Sequence, residues 1–326
     1  MKIDYDTLTT EWFDRAMSTG PINPTWKPKH YLDLFREWPE KYIKNYNQPF
    51  NPFAFAINSS ALASSSKKHE DLKAIMAQAS FLDLAASLYT EEIEGHAYIR
   101  NDFSFSIYWA TMEKPFYGAF MNAYTAYGYL KLYEATNNAK YLSKAEKLVK
   151  TITSKDCKIK LSSTDSNDDF WLNEYVFIPT PSEVDYLQKL GTELHDDGYM
   201  RFRIYNGNIS AILGLMKFRK TSGLSFADET IEKSCLTMSK LLHKQAFNGK
   251  YFSYSIEAEI MPDYGQLRAV NLAKFLAEAT NDDSLKNTFK SFEKLFNDSI
   301  KDSIQDIYAK GSADAALTYR PLKTPV

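Results

Sequence analysis

The sequence predicts a mainly α-helical chain folded as an incomplete α/α toroid, a ring of stacked helical hairpins with short aromatic β-strands lining its cleft. Three observations predict it. Apolar residues recur at helical spacing in paired blocks along most of the 326 residues. The blocks share a signature: a Tyr-Gly start at Tyr117-Gly118, Tyr205-Asn206-Gly207 and Tyr264-Gly265, and a turn at Thr136-Asn137, Thr221-Ser222-Gly223 and Thr280-Asn281. Short alternating segments rich in aromatic residues precede the hairpins. A lone helix pair cannot bury its apolar face, so such units stack side by side.

In chain order, residues 6–18 and 28–37 read as amphipathic helices, a helical extension over 1–47. The toroid domain spans 48–304 and a coil tail fills 305–326. The first hairpin has helices over 52–65 and 69–88, the latter carrying Leu72, Ile75, Met76, Phe81, Leu82 and Leu84. Residues 102–109 alternate as a strand before the second hairpin, 115–135 and 138–153. Strand 199–205 feeds the third, 206–221 and 225–245. An extended stretch at 250–255 precedes the fourth, 263–280 and 283–299. Between the second and third lies Asp168-Asp169-Phe170-Trp171-Leu172-Asn173-Glu174-Tyr175-Val176-Phe177, neither helical nor cleanly alternating. It reads either as pocket lining or as an edge strand with Glu174 in water.

A formal charge of −2 without a basic run gives no reason to expect nucleic acid. Two isolated cysteines, Cys157 and Cys235, suit free thiols in a reducing compartment. The polar, acidic N-terminus is unlike a signal peptide, and no apolar run approaches the length of a membrane span. The expectation is a cytoplasmic protein, with room for a homodimer. The five histidines show no metal spacing, and neither a phosphate loop nor a nucleophile elbow occurs, so no cofactor is expected. The 22 Tyr and 21 Phe are the compositional anomaly, since a ring with a polar tip suits saccharide clefts.

The toroid geometry gathers Tyr117, Tyr205, Asn206 and Tyr264 at one end of one cavity. Around them stand Glu174, Tyr175, Arg203, Tyr254 and Asp263. Two chemistries fit this set. Glycoside cleavage would use two carboxylates, Glu174 and Asp263. Epimerisation or elimination would use a base that removes a proton alpha to a carboxylate, with cations and amide donors holding the enolate. A non-catalytic glycan-binding module is the third reading.

Six ordered pieces give the sequence a family likeness: NPFAFAINSSAL, EKPFYGAFMNAYTAYGYLKLYEATNNAKYL (113–142), FWLNEYVFIPTPS (170–182), YNGNISAILGLMKFRKTSG (205–223), GKYFSYS (249–255) and PDYGQLRAVNL (262–272). In that order they resemble the C-terminal domain of the D-glucuronyl C5-epimerases over residues 48–300. The resemblance implies a uronate-containing glycan as substrate. It implies catalytic roles for Glu174, Tyr175, Tyr254 and Tyr264, and substrate binding by Asn206. Arg203, Arg268, Tyr117, Tyr205 and Asn122 complete the expected binding set. The sequence also departs from the family pattern. Asn173-Glu174 stands for a pair of acids, Val176 for a proline, and Asn122-Ala123 for Gln-Gly. Glu257 stands where the family has an arginine, and Gly265 and Arg268 replace histidines.

Overall fold

The computed structural model describes residues 3–17, 76, 79, 82–83, 89–102, 104–107, 110–189, 192, 194–247, 249, 251–257 and 266–310. The expected helices 28–37 and 52–65, most of 69–88, and Asp263, Tyr264 and Gly265 lie outside them.

The chain opens with α1 (Thr10–Met17), followed by the short strands β1 (Thr90–Ile93), β2 (His96–Ile99), β3 (Phe105–Ile107) and β4 (Ala110–Met112). The hairpin α2 (Ala119–Thr136) and α3 (Ala139–Thr153) follows. Next come β5 (Ser162–Thr164), β6 (Phe170–Leu172), β7 (Tyr175–Phe177), the outlying α4 (Pro181–Lys189) and β8 (Met200–Phe202). The hairpins α5 (Tyr205–Ser222) with α6 (Asp228–Leu241), and α7 (Gln266–Thr280) with α8 (Asp283–Lys310), are separated by β9 (Ala246–Phe247) and β10 (Tyr251–Phe252). Helix α8 runs on to Lys310, beyond the boundary at 304 that the sequence suggested.

The helices form two layers, as expected for a toroid. Residues Ala119–Leu132 of α2 are buried all round, as are nearly all of Tyr205–Phe218 in α5. Helices α3 and α6 instead bury one stripe, the mark of an outer layer against solvent. Close packing of the inner pair needs small residues. A Cβ added at Gly214 of α5 would stand 2.9 Å from the Ala123 side chain of α2. Helix α1 belongs to the same core. Trp12, Phe13, Ala16 and Met17 are buried in it, and the buried Lys131 of α2 donates to Asp14 at 2.7 Å.

Each of the three described hairpin turns uses a left-handed residue, which accounts for the repeated Thr-Asn and Ser-Gly. Asn137 (φ 52°), Gly223 (φ 75°) and Asn281 (φ 52°) donate their N–H groups back to Tyr133, Arg219 and Ala277. Thr136 and Thr280 donate their hydroxyls to Leu132 and Leu276, each four residues back. Asn137→Ala is therefore expected to destabilise by about 1 kcal/mol, while Asn137→Gly is neutral or better. Denaturant unfolding of the two variants measures the difference.

The strands form a rim at one end of the inner helices. Segment 116–117 bridges to Asn101 on one side and to Val176 on the other. Strand β7 pairs with β8, and Ile204 bridges to Ser255. Beneath this rim lies a second small core of Met112, Phe116, Tyr175, Phe177, Met200, Phe202 and Tyr254. Two expectations change here. The predicted strand at 102–109 is a β3–β4 hairpin. Helix α4 has no counterpart in the expected elements: Pro181 opens it, and Glu183 accepts from the Thr180 N–H at 3.0 Å.

Candidate functional site

Glu174 occupies the break between β6 and β7 and is 3 % exposed, which overturns the reading of an edge strand facing water. Three anchors fix the break. Asn173 takes the Ala119 N–H on its carbonyl at 2.7 Å, its own N–H donates to Leu161, and its amide donates to Ser163 Oγ at 3.0 Å. Two helix starts then close on Glu174. A Cβ at Gly118, the residue before α2, would stand 1.9 Å from the Glu174 carbonyl oxygen. A Cβ at Gly207, in the first turn of α5, would stand 2.2 Å from Glu174 Oε2. The carboxylate thus rests against the start of an inner helix, where the helix dipole favours negative charge by about 0.3 to 1 kcal/mol. The glycines of two of the Tyr-Gly starts, Gly118 and Gly207, are explained by this space, a role the sequence alone did not suggest.

Two tyrosines, Tyr175 at the start of β7 and Tyr254 just after β10, complete the centre. Tyr254 donates to Glu174 Oε1 at 3.3 Å, and the Tyr175 and Tyr254 hydroxyls lie 2.9 Å apart. With Tyr254 donating to the carboxylate, Tyr175 donates to Tyr254, giving a directed chain Tyr175–Tyr254–Glu174. All three are buried. Their proximity places Tyr254 on the same side as Glu174. Asn206 follows the start of α5, and its Oδ1 is buried with no hydrogen-bond partner among the described residues.

The remaining expected residues divide. Arg268 of α7 donates to the Tyr124 hydroxyl at 3.2 Å and to Ser210 Oγ at 3.4 Å, which brings it among the inner helices. Burial raises the Tyr124 phenol, and the Arg268 cation and the Glu174 charge act on it in opposite directions. Arg203 is committed elsewhere. It holds Glu257 Oε1 through Nε at 2.8 Å and Asp165 through Nη1 at 2.7 Å. Glu257 also accepts the Arg203 backbone N–H at 3.0 Å. The glutamate at the family's arginine position is therefore the partner of Arg203, which ties the segment after β10 that bears Tyr254 to the start of α5.

Tyr117 donates to Glu91 Oε2 at 2.8 Å, and burial together with Glu91 raises its phenol. Tyr205 packs against Trp171 with ring centroids 5.9 Å apart. Asn122 is the clearest correction. It is 0 % exposed, accepts from the Ile99 N–H and donates to the Ala97 and Leu148 carbonyls, so it joins β2 to α3 rather than meeting a ligand. Tyr124, Ser210 and Glu91 had no distinguishing signal in the sequence. Among the described residues no His/Cys/Asp/Glu cluster could hold a metal, and no helix is long and apolar enough to cross a membrane.

The fold is similar to that of the GH76A alpha-1,6-mannanase from Salegentibacter sp. HEL1_6, at 13 % identity and a TM-score of 0.51, over 89 % of this chain and 76 % of that one. A D-mannose isomerase crystal structure aligns at 14 % identity and a TM-score of 0.48, over 87 % and 75 %. No curated protein sequence matches the chain. The model of the D-glucuronyl C5-epimerase C-terminus matches residues 94–294, a span that holds Glu174, Tyr175, Tyr254 and both glycines that frame them. With more than half of its length matched, the chain belongs to the D-glucuronyl C5-epimerase C-terminus family.

Proposed function

We propose that the protein inverts C5 of a uronate residue within a glycan, by removing the proton alpha to the carboxylate and returning one from the other face. The observation that carries the reading is the buried Tyr175–Tyr254–Glu174 chain in a member of this family. Glu174 is the base. The C5–H bond breaks, its proton passes to the carboxylate, and its electron pair moves into the uronate carboxyl as an enolate. Tyr254, donating to Glu174 Oε1 with Tyr175 donating to it in turn, orients the carboxylate, and the abstracted proton stays on Glu174 until it is lost to solvent after reprotonation from the other face. In this reading Arg268 and Asn206 hold the substrate's carboxyl and hydroxyl groups, supported by the unpartnered Asn206 Oδ1 among the described residues, and Arg203 acts indirectly by positioning Tyr254.

Reprotonation needs a donor remote from this cluster. Tyr254 shares a face with Glu174, so the resemblance leaves Tyr264 for that part. No cofactor enters the scheme. The test is incubation with uronate-containing glycans in heavy water. Deuterium at C5 without loss of chain length is the expected result. Shortened chains would transfer the site to hydrolysis, unsaturated ends to elimination, and binding without either reaction to a glycan-binding module.

A further inference from the structure

A cavity of about 340 Å³, within the range of small-ligand sites, is lined by residues of β5 and by Phe170 of β6. Its wall is the β5 edge with the hydroxyls of Ser162, Ser163 and Thr164, and Phe170 lines it with a half-buried ring. Hydroxyls beside an aromatic face are what a sugar ring binds. Its charges differ from those of the acidic chain as a whole. Arg201 is buried and neutralised by Asp197. Lys155 and Lys233 share one carboxylate, Glu229, at 3.3 and 2.6 Å. The exposed Lys160 has no carboxylate within ion-pair distance among the described residues. Against these cations stands the exposed Asp196, so the rim keeps a surplus of positive charge.

From these residues we infer that the cavity is an accessory subsite for an anionic sugar residue of the same polymer, an inference that rests on the glycan reading above. Phe170 opens β6 and Glu174 stands in the break that follows it, so they are four residues apart and at most about 13 Å along the chain, or some two to three saccharide units. The two sites are also joined covalently and by hydrogen bonds. Ser163 of the cavity accepts from Asn173, the residue before Glu174. A polymer held at Phe170 by its acid groups could therefore present a residue further along to Glu174, whereas a short fragment could not use both.

Binding measured on a Glu174→Gln protein separates this subsite from catalysis. Polyglucuronate is expected to bind and to weaken as salt rises, with dextran, a neutral glucan, binding far less. Lys160→Glu breaks no ion pair of the described residues, and should weaken polyglucuronate binding about tenfold while leaving the unfolding temperature unchanged. Phe170→Leu, which keeps an apolar side chain but no aromatic face, should weaken it as well. Equal binding by the parent and the Lys160→Glu protein, or equal affinity for dextran, would overturn the inference. Absence of C5 exchange in the parent with these binding differences intact would remove the epimerase reading and leave the subsite standing.

Discussion

Glu174→Gln will lower deuterium exchange at C5 by about 10²- to 10⁴-fold, the range expected for loss of a general base. The substitution is chosen to isolate chemistry from packing. Glutamine fills the same space between Gly118 and Gly207, and its amide oxygen still accepts from Tyr254. What disappears is the basic oxygen, together with a favourable charge at the start of α5 worth about 0.3 to 1 kcal/mol. Stability should therefore change little, since the variant also buries an amide in place of an ion. Tyr254→Phe is the companion. It keeps the ring in the second core and removes both hydrogen bonds that orient the carboxylate, so exchange should fall but by less than in Glu174→Gln. Exchange rates followed by NMR, with an unfolding temperature for each variant, test both. Retention of more than roughly a tenth of the parent rate by Glu174→Gln would remove Glu174 from the role of base.

Much of this arrangement was legible in the sequence because the repeat left a mark at each hairpin. Asn137, Gly223 and Asn281 stand where a left-handed residue is required, a local rule that survives divergence. Glu174, Tyr175 and Tyr254 were found through the family likeness and come together as a hydrogen-bonded set. Side chains whose partners lie far along the chain were not legible. Arg203 looked like a ligand cation, but its charge is met by Glu257 and Asp165, 54 and 38 residues away. Asn122 likewise shares its residue type with ligand-binding amides, and only the backbone of β2 and α3 reveals its task. Helix α4 is a different kind of omission, since Thr180-Pro181-Ser182-Glu183 carries a local start signal but the helix it opens lies outside the repeating hairpins.

The two glycines that frame Glu174 should fail in different ways when each is changed to alanine. At Gly118 the backbone is extended (φ −173°), so alanine suffers no conformational penalty there. The obstacle is steric, a carbonyl oxygen 1.9 Å from the new methyl. That oxygen cannot retreat, because Tyr117 and Val176 exchange hydrogen bonds at 3.0 and 2.8 Å and the Ala119 N–H holds Asn173 at 2.7 Å. Gly118→Ala is expected to cost about 3 kcal/mol or more, the upper end for overpacking a rigid site. At Gly207 the obstacle is mostly the Glu174 side chain, with Oε2, Cβ and Cδ at 2.2, 2.5 and 2.8 Å from the new methyl. Alanine inside a helix recovers about 0.5 to 1 kcal/mol over glycine, which offsets part of the strain. Gly207→Ala should therefore lose about 1 kcal/mol of stability yet approach Glu174→Gln in lost exchange, because the carboxylate is driven off the helix start and away from Tyr254. Unfolding free energies and exchange rates measured on the same preparations separate the two outcomes. A Gly207→Ala protein with full exchange activity would mean that the carboxylate works from some position other than the start of α5.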